Sequence, residues 1–186
     1  MHWFNMAKVT NLKKGERGIG FVELIIVVAL AGMVGAAITA AAFQTLTFTT
    51  RLSNQMTAIR QVQQAGFWVS PDVMMANPAK SNFNPGGGKF LVLAWTDANG
   101  NDHEVTYTIT SERRLQRTHK VTPHEGEATT EVSVVAQYVD TSFDPSTGKP
   151  KTYCAWDGKV FTLVVTATVG NQTETRTYQV QPRVGT

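Results

Sequence analysis

A long apolar run near the start of the chain dominates its hydrophobic pattern. No charged residue occurs between Leu24 and Phe43, a stretch of 20 residues. As a helix that rises ~1.5 Å per residue, this stretch is about 30 Å long, which matches the hydrocarbon core of a bilayer. Uncharged but less apolar sequence continues to Thr50. The pattern therefore predicts a membrane-spanning helix.

After Thr50 the pattern becomes one-sided. Apolar residues recur at steps of three and four, which is a helical period, while arginine and glutamine side chains face away. The predicted apolar face contains Leu52, Met56, Ile59, Val62, Ala65 or Gly66, and Val69. A break is expected at Ser70-Pro71-Asp72, since serine caps helices, proline fits a first helical turn and aspartate favours the positive helix end. A short second helix over residues 73–76 is expected to follow.

From Phe90 onward, alternating apolar and polar residues predict strands. The expected strands are Phe90–Trp95, Val105–Ile109, Leu115–Val121, Val132–Tyr138, Phe161–Val169 and Thr175–Val180. Alternation assigns two apolar faces, Val132, Val134, Ala136 and Tyr138 in one strand and Phe161, Leu163, Val165, Ala167 and Val169 in another. Turn formers separate the strands at Asp97–Asp102, Asp157-Gly158 and Gly170-Asn171. A long N-terminal helix followed by an antiparallel sheet predicts an α+β fold.

Charge and cysteine content narrow the function classes. The formal net charge of +3 arises within residues 1–18, because the rest of the chain holds 13 basic and 13 acidic side chains. Bulk charge therefore does not indicate a nucleic-acid surface, and no nucleic-acid partner is predicted. Basic residues directly before an apolar run place the amino terminus in the cytoplasm and the rest outside. Cys154 is the only cysteine, so no internal disulfide can form and a buried thiol is expected.

The junction before the apolar run combines three features. Lys13, Lys14 and Arg17 are followed by Gly18, and Glu23 comes five residues after that glycine. A carboxylate at this place either stays hydrated outside the hydrocarbon or has a charged partner within it. The junction resembles the amino-terminal signature of type IV pilins and type II secretion pseudopilins, in which a short basic leader ends in glycine and the fifth mature residue is glutamate.

The resemblance implies a processing site. A prepilin peptidase would cut after Gly18, making Ile19 the first residue and the site of N-methylation, and Glu23 the fifth. The family usually begins with phenylalanine or methionine, so isoleucine is a departure. A cut after Gly20 is the alternative, which makes Phe21 first but leaves Glu23 third.

The resemblance also implies a domain organisation and a role in assembly. Residues 1–18 form the leader, residues 19–50 the transmembrane and filament-core helix, and residues 51–186 the amphipathic helix half with the periplasmic or extracellular sheet domain. In this family the glutamate that matches Glu23 is thought to neutralise the amino terminus of a neighbouring subunit. The implied partners are the prepilin peptidase, other pilin or pseudopilin subunits, an inner-membrane assembly platform and membrane lipid.

A looser likeness concerns the remainder of the chain. The order of elements, with Tyr107–Arg117 and Val134–Phe143, resembles J-type minor pseudopilins and W-type minor pilins. The expected function is therefore that of a minor structural subunit. Its expected location is the bacterial inner membrane, as a single-pass protein, and then a periplasmic or cell-surface filament.

Several patterns that could carry chemistry do not reach a recognisable site. Gly86-Gly87-Gly88-Lys89 lacks the serine or threonine and the preceding strand of a phosphate-binding loop. Asp97–Asp102 misses the EF-hand spacing, and His103, His119 and His124 lack zinc-ligand spacing. No catalytic residue, metal or cofactor is predicted, which disfavours an exported enzyme.

Two alternatives to the filament subunit remain. One is a single-pass, membrane-anchored extracytoplasmic binding domain that does not polymerise. The other explains the start of the chain as an ordinary secretory signal peptide cut after Ala42, although the helical pattern continues beyond that residue.

Overall fold

The fold is known from a computed structural model, which describes residues 20–182. One helix, α1 (Phe21–Met75), precedes seven strands. The strands are β1 (Lys89–Thr96), β2 (Asp102–Ile109), β3 (Leu115–Thr122), β4 (Thr129–Ala136), β5 (Tyr153–Trp156), β6 (Phe161–Val169) and β7 (Gln172–Val180). The helix packs against antiparallel sheets, so the predicted α+β fold is confirmed. The chain divides into two compact units between Leu46 and Thr47.

The second unit contains the part of α1 from Thr47 onward and two antiparallel sheets. The first has the strand order β1-β2-β3-β4 and the second the order β5-β6-β7, so every neighbouring pair is also consecutive in sequence. The β6–β7 hairpin turns through Gly170 and Asn171, with Val169 paired to Gln172. Gly170 has a φ of 55°, a left-handed conformation that glycine adopts without a steric penalty. The tight turn predicted here follows directly from these two residues.

The segment after β4 joins the two sheets. Val139 forms an isolated bridge with Ala167 of β6. The Arg113 guanidinium, from the β2–β3 turn, donates hydrogen bonds to the carbonyls of Tyr138, Val139 and Thr168 at 3.1–3.2 Å. One side chain thus satisfies carbonyl groups from both the crossing segment and the second sheet.

The core lies between the sheet-packed part of α1 and the inner faces of both sheets. Seven residues of the helix are buried, namely Ala58, Val62, Ala65, Gly66, Val69, Asp72 and Val73. They recur at steps of three and four, as predicted. The predicted face was wrong at its beginning, however, because Leu52 and Met56 are exposed. The buried face begins only where the sheets begin to cover the helix.

The predicted helix break at residues 70–72 was wrong, since α1 continues through Pro71 to Met75. Proline removes one backbone donor and usually disrupts a helix interior. Here it lies in the last turn and a half, and its ring points to the exposed side. The helix ends at Met75, and the amide of the next residue, Ala76, donates to the carbonyls of Asp72 and Val73. Residues 73–75 are therefore the last residues of α1, and the predicted separate helix over residues 73–76 does not form.

The apolar face predicted for residues 132–138 was correct at Ala136 and wrong at its three other positions. Val132 and Val134 are 55% and 47% exposed, and Tyr138 is exposed too, whereas Val135 and Ala136 are buried. The register of β3 and β4 shifts between Leu115 and Gln116, so Val135 has no partner in the ladder. Such a bulge lets consecutive residues point to the same side. An alternating pattern read across the bulge assigns the wrong face to every residue before it.

Candidate functional site

Glu23 caps the start of α1. Gly20 precedes the first helical residue, Phe21, and its backbone N–H donates to Oε2 of Glu23 at 3.1 Å. This is half of a capping box, in which a glutamate at the third helical position satisfies the amide before the helix. Glu23 and Gly20 thus lie together at the helix start. Gly18 and Ile19, the predicted processing site, lie outside the described residues.

The apolar part of α1 is exposed along its length. The large hydrophobic side chains from Phe21 to Phe48 are each at least half exposed. The most apolar window of 18 residues has a mean hydropathy of 2.5. Two hydroxyl groups in this part of α1 bond within the helix: Thr39 donates to the Gly35 carbonyl and Thr45 to the Ala41 carbonyl. By length and composition this helix is compatible with a single-pass membrane anchor.

A buried polar cluster joins the end of α1 to the first sheet. Both carboxylate oxygens of Asp72 accept from the Arg117 guanidinium, at 2.8 and 3.0 Å. The Tyr107 hydroxyl donates to the same carboxylate. Asp72 and Arg117 are each 8% exposed, and Tyr107 is fully buried. We call these three residues the Asp72 clamp.

The geometry of the Asp72 clamp follows from strand register. Tyr107 and Arg117 are direct partners in the β2–β3 ladder, so their side chains leave the sheet side by side toward the helix. The Arg117 guanidinium also lies 5.4 Å from the Trp68 ring centre, a cation–π contact. Hydrogen bonding to Asp72 raises the pKa of Arg117. Burial, chiefly, raises the pKa of Tyr107, so the phenol keeps its proton and acts as a donor.

Sequence reasoning missed the Asp72 clamp. It assigned Asp72 to a helix start, where its charge would meet a helix dipole. The available signal was helical spacing: Asp72 follows Val69 by three residues and therefore lies on the buried face. A charged residue on such a face needs a partner. Arg117 is its counterpart in β3, where it occupies an inward position two residues after buried Leu115.

Gly66 lets a tyrosine lie directly on the helix backbone. A Cβ at this position would be 2.2 Å from Cζ of Tyr178, far inside contact distance. The Tyr178 hydroxyl donates to the Val62 carbonyl at 3.0 Å, one helical turn earlier. The ring of Tyr178, a residue of β7, therefore occupies the space that any larger residue at position 66 would need.

Gly66→Ala is expected to destabilise the sheet-packed domain by about 1–3 kcal/mol, the usual cost of overpacking. The Tyr178 ring can leave only by giving up its hydrogen bond. The free energy of unfolding, measured by urea denaturation followed through near-UV circular dichroism, tests this. Gly32→Ala is the matched control, because nothing lies within 4 Å of its added Cβ. Equal midpoints for the two variants would contradict the proposed contact.

Two of the histidines that lack zinc-ligand spacing, His103 and His119, form a pair. His103 Nδ1 and His119 Nε2 lie 3.1 Å apart on neighbouring strands, within hydrogen-bond distance. The other ring nitrogen of His103 lies 3.2 Å from Oδ2 of Asp97. Trp95 stacks on His103, with 5.1 Å between the ring centres and 2° between the planes. We call Asp97, His103 and His119 the histidine relay.

The turn that carries Asp97 is closed by its own hydrogen bonds. The Asp97 carboxylate accepts from the amides of Asn99 and Asn101 and from the Asn101 side chain at 2.8–2.9 Å. Hydrogen bonds from Asn101, chiefly, lower the pKa of Asp97 to about 2. Within residues 20–182, no three histidine, cysteine or acidic side chains are grouped so that they could hold a metal ion.

The remaining sequence candidates have local explanations. Gly86, Gly87 and Gly88 all have positive φ and lead into strand β1, so no helix N-terminus is present to receive a phosphate. The Cys154 thiol is half-buried and lies 3.2 Å from the Phe83 carbonyl and 3.3 Å from the Phe90 carbonyl. Burial raises its pKa to about 11. The thiol therefore serves as a weak donor in the core.

Comparisons of the chain with protein-family models, with curated proteins and with solved structures found no match.

Proposed function

We propose that this chain is a minor pilin or pseudopilin, a structural subunit of a bacterial type IV pilus or type II secretion pseudopilus. The observation that carries the proposal is the position of Glu23. It lies five residues after Gly18, at the start of a helix whose apolar half is exposed and whose second half packs on a sheet domain. An exposed apolar helix of this length needs either lipid or other helices around it.

Glu23 has capacity for a second partner. An ionised carboxylate accepts at two oxygens, and the helix cap uses Oε2. Cleavage after Gly18 would create a cationic α-amine at Ile19, which keeps its charge when methylated. In an apolar bundle the two charges stabilise each other more than they do in water, since the local dielectric is low. We therefore infer that Glu23 of one subunit pairs with the amino terminus of another.

The proposed route begins in the inner membrane. Lys13, Lys14 and Arg17 stay in the cytoplasm, where the prepilin peptidase acts, and the sheet domain lies outside. An assembly platform then moves the subunit from lipid into a filament of pilin or pseudopilin subunits. The domain contributes structure to that filament and performs no catalysis. Before assembly, the Glu23 carboxylate is hydrated at the edge of the membrane. In the filament it pairs with the cationic amino terminus of another subunit.

Mass spectrometry of the mature amino terminus tests the proposal most directly. We expect N-methyl-isoleucine at Ile19, because a cut after Gly18 makes Glu23 the fifth residue. Gly18→Val is expected to block the cut and leave the full-length chain in the membrane. An intact leader in the wild type, or a cut after Ala42, would exclude a pilin. An intact leader would leave the non-polymerising membrane-anchored binding domain as the better explanation.

Gly20→Ala is the matched control for the processing site. A Cβ at Gly20 would meet only the Glu23 carboxylate, at 3.9 Å, so the helix start accommodates alanine. Cleavage after Gly18 is expected to continue in this variant. Loss of cleavage in Gly20→Ala, with normal cleavage in Gly18→Val, would move the processing site to Gly20.

A further inference from the structure

The histidine relay lies at one end of the first sheet. His103 is the second residue of β2, next to the β1–β2 turn, and His119 lies in the second half of β3. The two are not direct ladder partners, since Val105 pairs with His119 and His103 with Val121. Their side chains instead meet diagonally on the inner face, beyond the Asp72 clamp. The hydrogen bond between the rings thus adds a side-chain link where two strands approach their ends.

Proton positions in the relay follow from the carboxylate. Asp97 can only accept, so Nε2 of a neutral His103 carries the proton that it donates. Nδ1 of His103 is then an acceptor, and Nε2–H of His119 is the donor between the rings. One extra proton on the pair keeps a ring–ring hydrogen bond, because one ring can still accept. Two extra protons leave two donors and two positive charges facing each other at 3.1 Å.

We propose that the histidine relay is an acid-sensitive latch: it joins β2 to β3 at neutral pH and releases that end of the sheet when both rings are protonated. The trigger is loss of the acceptor between His103 and His119. Asp97 keeps its contacts in the turn and to His103, so the expected separation is between the rings. This inference concerns the sheet domain alone and does not depend on filament assembly.

The charges around His119 favour release. Arg117 lies two residues earlier on the same face of β3, and His103 faces His119 from β2. Two carboxylates act in the opposite direction and raise the pKa of His119. They are Asp72 of α1 and Glu131, the ladder partner of His119 in β4. Asp72 is already bound by Arg117, and Glu131 is exposed. Burial, chiefly, with Arg117 and His103, lowers the pKa of His119 below its ordinary value of 6.5.

The sign of the stability effect follows from that lowered pKa. Where pH lies between the folded and the unfolded pKa, the unfolded chain binds more protons at His119 than the folded chain does. The stability due to a neutral His119 is therefore complete above pH 6.5 and is lost as pH falls through that value and on to the folded pKa. The latch accordingly opens on the acid side of 6.5.

The test uses the full chain in detergent micelles, without a histidine tag and with ¹⁵N-labelled histidine. Ring nitrogen shifts are followed by NMR from pH 8 to pH 4.5. In the wild type we expect the His119 midpoint below 6.5, and in His103→Gln a shift of that midpoint upward, because a neighbouring cation is removed. His124→Gln is the control and is expected to leave the His119 midpoint unchanged.

Amide hydrogen exchange tests the release itself. Glu104 and Lys120 are ladder partners whose amides bridge β2 and β3, because hydrogen-bonded pairs alternate along the ladder from Thr110 and Arg114 at the turn. Protection factors, which correct for the intrinsic effect of pH, are expected to fall at Glu104 and Lys120 between pH 7.5 and pH 5 in the wild type. In His119→Gln, which cannot gain the second charge, they are expected to stay level. A wild-type His119 midpoint at or above 6.5, or one that does not move in His103→Gln, would overturn the proposal. Unchanged protection in the wild type would do so as well, even if either variant fails to fold.

Discussion

Glu23→Ala is expected to abolish incorporation of the subunit into filaments while leaving cleavage after Gly18 intact. The physical reason is an uncompensated charge. Without the carboxylate, the amine of a neighbouring subunit would lie unpaired in an apolar bundle, at a cost of about 3–5 kcal/mol. Shearing of cells followed by immunoblotting measures incorporation, and the size of the membrane-bound chain measures processing.

Glu23→Gln separates the charge from the cap. Glutamine at the third helical position can still accept from the Gly20 amide, so the helix start is preserved. It has no charge to offer an amine. If pairing drives assembly, Glu23→Gln fails as Glu23→Ala does. If the cap alone matters, Glu23→Gln is incorporated normally and only Glu23→Ala is lost. Normal incorporation of Glu23→Ala would exclude both explanations.

Asp72→Ala is expected to destabilise the sheet domain by about 3–5 kcal/mol, which would unfold much of the population of a marginally stable domain. The variant leaves the Arg117 guanidinium buried without its carboxylate and removes the acceptor of the Tyr107 hydroxyl. Chemical denaturation of the full chain in micelles measures the loss. Fluorescence of Trp68, which lies against Arg117, gives a local probe of the same site.

Two further variants show whether burial of the charge is responsible. Asp72→Ala combined with Arg117→Met removes both charges and is expected to regain part of the lost stability, since a buried ion pair can often be replaced by apolar side chains. Glu112→Ala breaks an exposed pair with Arg114 and is expected to leave the denaturation midpoint nearly unchanged. A loss in Glu112→Ala equal to that in Asp72→Ala would contradict the role given to burial.

Strong local patterns made the fold predictable. An uncharged run such as Leu24–Phe43 has few alternatives to a helix. The alternation in Phe161–Val169 persists for nine residues with a tight turn after it, and it became β6 with the predicted face inward. Strand β5 was missed because Tyr153–Trp156 is only four residues long and shows no clear alternation. Its position depends on pairing with β6, which is a tertiary effect.

The polar clusters were not predictable in the same way. The Asp72 clamp joins residues 35 and 45 positions apart in sequence, and the histidine relay depends on the register of two strands. Spacing along one element does not reveal such pairs, because they form across elements. Pro71 illustrates the opposite error. Proline usually breaks a helix, but Pro71 lies near the end of α1 and faces outward, so it destabilises the helix little.

The solitary cysteine has a practical consequence for mapping neighbours of this chain. A thiol with a pKa of about 11 is almost wholly protonated at neutral pH and reacts slowly with maleimides or oxidants. Pairs of cysteines introduced along α1 should therefore cross-link to each other, with little background from Cys154. Folding also proceeds without oxidation, so a reducing cytosol and an oxidising exterior yield the same domain. The native chain thus serves as its own reference in cross-linking between subunits.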